Sequence, residues 1–149
     1  MVHEGDLVEI PLPDGRTAIG WILHISKLFK SMIGFVVFGI KGQVREDVEH
    51  DLEIGDLSSM KVLGPFYTNE DAITHYGWMT FANHKISPGK RQLTKRLVGS
   101  NVYVGDECIR EATLPDQSTL KPMLSMGMVA VYQHIERAFG NGRVAPLTE

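Results

Sequence analysis

From residue 16 to residue 25 the chain alternates with period two. Thr17, Ile19, Trp21, Leu23 and Ile25 fall on one face, and Arg16, Ala18, Gly20, Ile22 and His24 on the other. Helical winding would scatter these larger apolar groups, whereas an extended strand gathers them on one side. Pro13-Asp14-Gly15 just before it is a turn, because proline presets φ, aspartate bonds its own backbone and glycine accepts positive φ. Residues 7–10 are then the first strand of a meander. Residues 33–40, apolar on both faces, read as a central strand. Gly20, Gly34 and Gly39 inside these strands predict bulges or bends, and with them a strongly curled sheet.

The rest of the chain mixes both periods. Residues 46–56 form an acidic connection with room for one helical turn, and 61–63 read as a strand closed by Gly64-Pro65. Thr68-Asn69-Glu70-Asp71 matches a capping box, so a short helix is expected to run to about His75 and stop at Gly77. Residues 78–82 return to strand pattern. Residues 101–104 and 107–111 flank Gly105-Asp106, a two-residue hairpin loop. Over 125–139, Met128, Val131, Tyr132, Ile135 and Phe139 form one helical stripe, with Gly140 placed to end it. The expected fold class is α+β: a curled, mostly antiparallel β-sheet with one short helix and one longer C-terminal helix. A single domain over 1–149 is expected, with 140–149 as a loose tail.

The chemistry expected of this chain is sparse. The lone cysteine, Cys108, has no internal partner for a disulfide, which suits a reducing compartment, and is expected as a buried, inert thiol. The N-terminus shows no basic segment followed by an apolar one. The most apolar run, 32–40, is interrupted by two glycines and is far shorter than the ~20 residues that span a bilayer. A cytoplasmic protein with no membrane association is expected. The six histidines (3, 24, 50, 75, 84 and 134) form no HxH, HxxxH or HExxH pair, and no CxxC accompanies them, so neither metal nor other cofactor is expected. His24, on a strand face, reads as a hydrogen-bonded structural residue. Gly-x-Ser-x-Gly and the phosphate-cradling glycine loop are both absent. No catalytic residue is expected, and hence no enzyme.

Charge is distributed unevenly. Residues 1–71 carry twelve acids and six bases; 72–105 carry five bases (Lys85, Lys90, Arg91, Lys95, Arg96) and no acid; 106–149 carry six acids and four bases. Opposed potentials of this kind steer partners rather than determine the fold. Within 46–56, Glu46, Asp47, Glu49, Asp51, Glu53 and Asp56 stand with no lysine or arginine among them. They read either as a solvated surface loop or as a carboxylate patch that mimics phosphate charge toward a cationic partner. These six residues are the candidate partner-binding site. The basic stretch 84–96 lacks the interleaved aromatics that stack bases, and the chain's pI is near 6.1, so it reads as a solvated face or an internal partner of the acidic loop rather than a nucleic-acid site.

The run Gly5-Asp6-Leu7-Val8-Glu9-Ile10-Pro11-Leu12-Pro13-Asp14-Gly15-Arg16, followed by Gly20, resembles the opening of the bacterial immunity protein 26 family. Leu63-Gly64-Pro65-Phe66-Tyr67, Gly77-Trp78 and 96–106 carry further parallels, so the likeness covers roughly 4–110. That family belongs to polymorphic toxin systems, including contact-dependent growth inhibition. The resemblance implies a non-enzymatic protein, made beside a toxin gene, that binds and neutralises the C-terminal domain of its cognate toxin, for example a nuclease, in the producing cell. It carries over no contact residues; exposed aromatics such as Tyr67 or Tyr76 are further anchors to consider, against core packing for each. The alternative is a small-barrel nucleic-acid-binding module or endoribonuclease-type toxin. The Gly-Asp-Leu-Val opening and the Pro-Asp-Gly turn also resemble barrel-type messenger-RNA-cleaving toxins. Those follow the turn with Arg-Pro, where this chain has Arg16-Thr17.

Overall fold

A computed structural model describes residues 2–42 and 62–140. The first three strands are β1 (Asp6–Pro11), β2 (Thr17–Ile25) and β3 (Met32–Ile40). They form the antiparallel meander that the alternation and the Pro-Asp-Gly turn demand. β4 (Leu63–Asn69) adds to the free side of β3, and β5 (Met79–Asn83) to the free side of β1, giving the order β4-β3-β2-β1-β5. A second sheet of three strands, β6 (Arg96–Val98), β7 (Asn101–Val104) and β8 (Glu107–Glu111), is also antiparallel. Between and after the strands lie α1 (Asp71–His75), α2 (Pro88–Arg91) with a 3₁₀ turn at Gln92–Thr94, α3 (Leu114–Thr119) and α4 (Met128–Phe139). The architecture is α+β.

The large sheet is buried on both faces. One face, with Val8, Ile10, Ile22, Phe35 and Val37, is covered by Met128, Val131 and Ile135 of α4 and by Ala72 of α1. The other, with Leu7, Ile19, Trp21, Leu23, Val36 and Phe38, is covered by Ile86 and Leu93 of the segment leading to β6. This is why β3 is apolar on both sides.

Several expectations need correction. In place of one curled sheet there are two, and neither is strongly curled. The interior glycines serve close approach instead. A Cβ on Gly20 would lie 3.0 Å from Ile10 Cδ1, and one on Gly34 2.8 Å from the Tyr67 ring. The bulges displace register without closing the sheet: pairing slips between Ile19 and Gly20 and again between Ile22 and His24. The second slip puts Leu23 and His24 on the same side, so the strict alternation drawn from residue 16 to residue 25 fails at its end.

The strand at 63 does not stop at Gly64-Pro65 but runs through it to Asn69; Thr68 is buried within that strand. Thr68 therefore caps nothing. Helix α1 forms where expected, but Asn69 Oδ1 accepts from the Asp71 N–H at 2.8 Å in its place. Two further short helices appear with sound caps. Ser87 accepts from Lys90 N, ahead of Pro88, and Thr113 forms a capping box with Asp116 ahead of Pro115. The C-terminal helix begins at Met128, three residues later than expected, with Gly127 as its cap, and ends at Gly140 with φ 84°. The tail expected after it lies outside the described residues.

Ile135 is fully buried between α4 and the sheet, whereas Val129, six residues earlier on the same helix, is 67% exposed. Ile135→Ala is expected to lower the unfolding free energy by ~2–5 kcal/mol, and Val129→Ala by no more than ~0.5 kcal/mol. Urea titration followed by circular dichroism checks both.

Candidate functional site

The two sheets meet at a polar corner. The bulge in β2 delivers His24, 4% exposed, toward the β7–β8 hairpin, whose loop holds Gly105 at φ 59° and then Asp106. The Asp106 carboxylate collects four donors from the end of β2 and the turn after it. Ser26 Oγ donates to Oδ1 at 2.6 Å, and the Lys27 and Leu28 N–H groups donate to Oδ2 at 2.7 and 3.2 Å. His24 Nε2 lies 2.9 Å from Oδ1 and donates, since an ionised carboxylate only accepts. Burial pushes this carboxyl up, but the bonds from Ser26, Lys27, His24 and Leu28 together outweigh it and hold it down at about 2, from an ordinary 3.8. On the other ring edge, His24 Nδ1 faces Glu4 Oε2 at 3.4 Å, close enough for an ion pair but outside hydrogen-bond geometry. Glu4 also accepts from Ile25 N at 3.1 Å and lies 3.5 Å from Arg91 Nη1.

The expectation that His24 is a hydrogen-bonded residue of the framework matches this arrangement. Although a serine, a histidine and an aspartate are neighbours here, the serine hydroxyl donates to the carboxylate rather than to the imidazole. That geometry does not activate a nucleophile.

Beside this corner lies Arg96, 3% exposed. Its Nη1 donates to Thr94 O at 3.0 Å and to Gly105 O at 2.9 Å, and its guanidinium carbon sits 4.8 Å from the centre of the Tyr67 ring. Tyr67 OH donates to Thr94 O at 3.3 Å; burial pushes this phenol up to about 12, against the opposing pull of the Arg96 charge. Nε and Nη2 of Arg96 have no partner among the described residues. A cavity of about 560 Å³ opens alongside, walled by Tyr67, Arg96, Lys95, Lys121, Leu124 and Met126 among others.

At the opposite edge of the large sheet, β5 pairs with β1 alone among the described residues. Met79 and Phe81 are 67% and 44% exposed, and Tyr76 just before them is 37% exposed. Phe81 is the extra residue of a bulge, opposite the step from Leu7 to Val8. The result is two large exposed apolar side chains on an edge strand, the kind of surface that soluble proteins normally blunt with charge.

The six carboxylates Glu46, Asp47, Glu49, Asp51, Glu53 and Asp56 lie outside the described residues. The basic stretch does not form one patch: Lys85 is exposed, Arg91 faces Glu4, and Arg96 is buried in the core. Cys108 is exposed rather than buried, because every residue of β8 faces solvent. Of the two aromatic anchors considered, Tyr67 is buried beneath Arg96, and only Tyr76 reaches the surface. Among the described residues, no group of three or more histidine, cysteine or acidic side chains is arranged to hold a metal ion, and no helix is long and apolar enough to cross a membrane. The Arg96 cavity was missed from sequence, where a buried arginine looks like any other member of a basic run.

No protein-family profile, curated protein sequence or solved structure matches this chain.

Asp106→Ala is expected to destabilise the protein by ~1–3 kcal/mol near neutral pH, because it strands the buried His24 Nε2 and Ser26 Oγ. The carboxylate's contribution is whole above the unfolded-state value near 3.8 and fades as pH falls toward about 2, because the folded state holds the lower value. Denaturation curves of wild type and variant are therefore expected to converge on acidification from pH 5 to pH 2.

Proposed function

We propose that this protein is a non-enzymatic immunity protein, which binds a bacterial toxin domain and neutralises it in the cytoplasm of the cell that makes both. The observation that carries the reading is the β5 edge. Met79 and Phe81 expose large apolar surface on an edge strand, with Tyr76 exposed just before it, and Met and aromatic residues are enriched where proteins meet. The bulge at Phe81 interrupts the regular ladder, so a partner is offered anchoring side chains more than a continuous row of backbone groups. The polar corner supports a framework role for the conspicuous His–Asp–Ser grouping and so leaves no need for catalysis there. The likeness of 4–110 to the immunity protein 26 family supplies the toxin as partner class.

Glu46, Asp47, Glu49, Asp51, Glu53 and Asp56 are retained as a second contact, one that speeds association with a cationic, nuclease-like toxin through complementary charge. The two contacts make different predictions. With the toxin domain encoded by the adjacent reading frame, Phe81→Arg is expected to raise Kd at least about tenfold, equivalent to ~1.4 kcal/mol, with no change in the unfolding midpoint. Glu49→Lys with Asp51→Lys is expected to slow association at low salt and to leave dissociation nearly unchanged. Surface plasmon resonance at two ionic strengths reads both. An unaltered Kd for Phe81→Arg would remove the β5 edge from the interface.

A further inference from the structure

The most unusual electrostatic feature of the molecule is the Arg96 guanidinium. It is 3% exposed, and no carboxylate pairs with it among the described residues. Isolated charges are costly to bury, and a guanidinium is satisfied when its forked N–H groups meet acceptors. Arg96 satisfies one nitrogen only: Nη1 bonds to the Thr94 and Gly105 carbonyls, and the Tyr67 ring lies against the guanidinium at 4.8 Å. The two unpartnered atoms, Nε and Nη2, together form the side-on edge of the group, the edge that matches a carboxylate with two parallel hydrogen bonds.

Arg96 lines the 560 Å³ cavity, whose size falls within the range of small-molecule sites. Its wall is cationic and apolar at once. Lys95, Arg96 and Lys121 contribute charge, no acid lines it among the described residues, and Leu63, Leu120, Leu124 and Met126 supply hydrocarbon. Leu124, 63% exposed, stands at this wall.

We propose that this cavity binds a small amphiphile with a carboxylate head and an aliphatic body, the head directed to the Nε/Nη2 edge of Arg96 and the body lying along Leu120, Leu124 and Met126. That edge is closed to solvent in this structure, so binding of the head requires it to be uncovered. The site stands on β4 and β6, whereas the proposed toxin contact stands on β5 at the far edge of the large sheet. The two proposals are independent.

Isothermal titration of the full chain with decanoate, decanol and decyltrimethylammonium tests this one. The expected result is saturable binding of decanoate, at least about tenfold tighter than decanol, and no binding of the cationic amphiphile. Met126→Trp, which fills the cavity, and Lys121→Glu, which reverses charge at its rim, are each expected to weaken decanoate at least about tenfold. Lys121 is exposed, so its substitution spares the core. The proposal is overturned by any of three results: no decanoate binding up to about 1 mM, equal binding of anionic and neutral chains, or full binding retained by Met126→Trp.

Discussion

The arrangement of this protein depends on one carboxylate. Asp106 takes hydrogen bonds from the side chains of His24 and Ser26 and from the backbone of Lys27 and Leu28. A strand that ends at a sheet margin leaves amides without ladder partners, and each must find an acceptor or keep its water. The β7–β8 hairpin brings that acceptor. The second sheet is therefore oriented against the first by directional polar bonds, which specify geometry more narrowly than apolar contact does. Arg96 and Thr94 extend the same junction: Gly105 N donates to Thr94 Oγ1 at 2.8 Å, and its carbonyl accepts from Arg96.

Because His24, Ser26 and Asp106 are committed to one another, they form a brace between the two sheets. Because the segment between α3 and α4 pairs with β4 at Tyr67 and Ser125, β4 has part of its margin covered, while β5, at the other margin, has no further strand beside it among the described residues. The exposed Met79 and Phe81 and the Arg96 cavity thus occupy opposite edges of one sheet. A protein–protein contact and a small-molecule contact at these places do not compete for the same residues.

Much of the framework was legible in the residues. The alternation along β2, the Pro-Asp-Gly turn, the two-sided apolar run of β3, the Gly105-Asp106 hairpin and the stripe from Met128 to Phe139 all state their structure locally. What was not legible depends on distant parts of the chain. The bulge that turns His24 away from Ile22 is a register slip between β2 and β3, invisible along either strand alone. Thr68 carries the residue type of a helix cap, yet burial in β4 claims it and leaves the role to Asn69. The caps at Ser87 and Thr113 were written in the sequence, but helices of four and six residues are too short for any periodicity to announce them. Arg96 and Lys95 are neighbours in one basic run; only the packing against Tyr67 separates a buried cation from a half-exposed one. Exposure of Cys108 likewise follows because no further strand or helix among the described residues covers β8, which no local pattern reveals.

The central functional claim is that an exposed edge strand, and not a catalytic centre, does this protein's work. Hydrogen–deuterium exchange of the chain alone and in complex with the toxin domain from the adjacent reading frame tests it most directly. The account predicts slowed exchange in the complex across β5 and the residues leading into it from Tyr76, with the β7–β8 hairpin unchanged. Protection confined to the β7–β8 hairpin and the His24 corner, or no protection anywhere when the two proteins are mixed at high concentration, would contradict it.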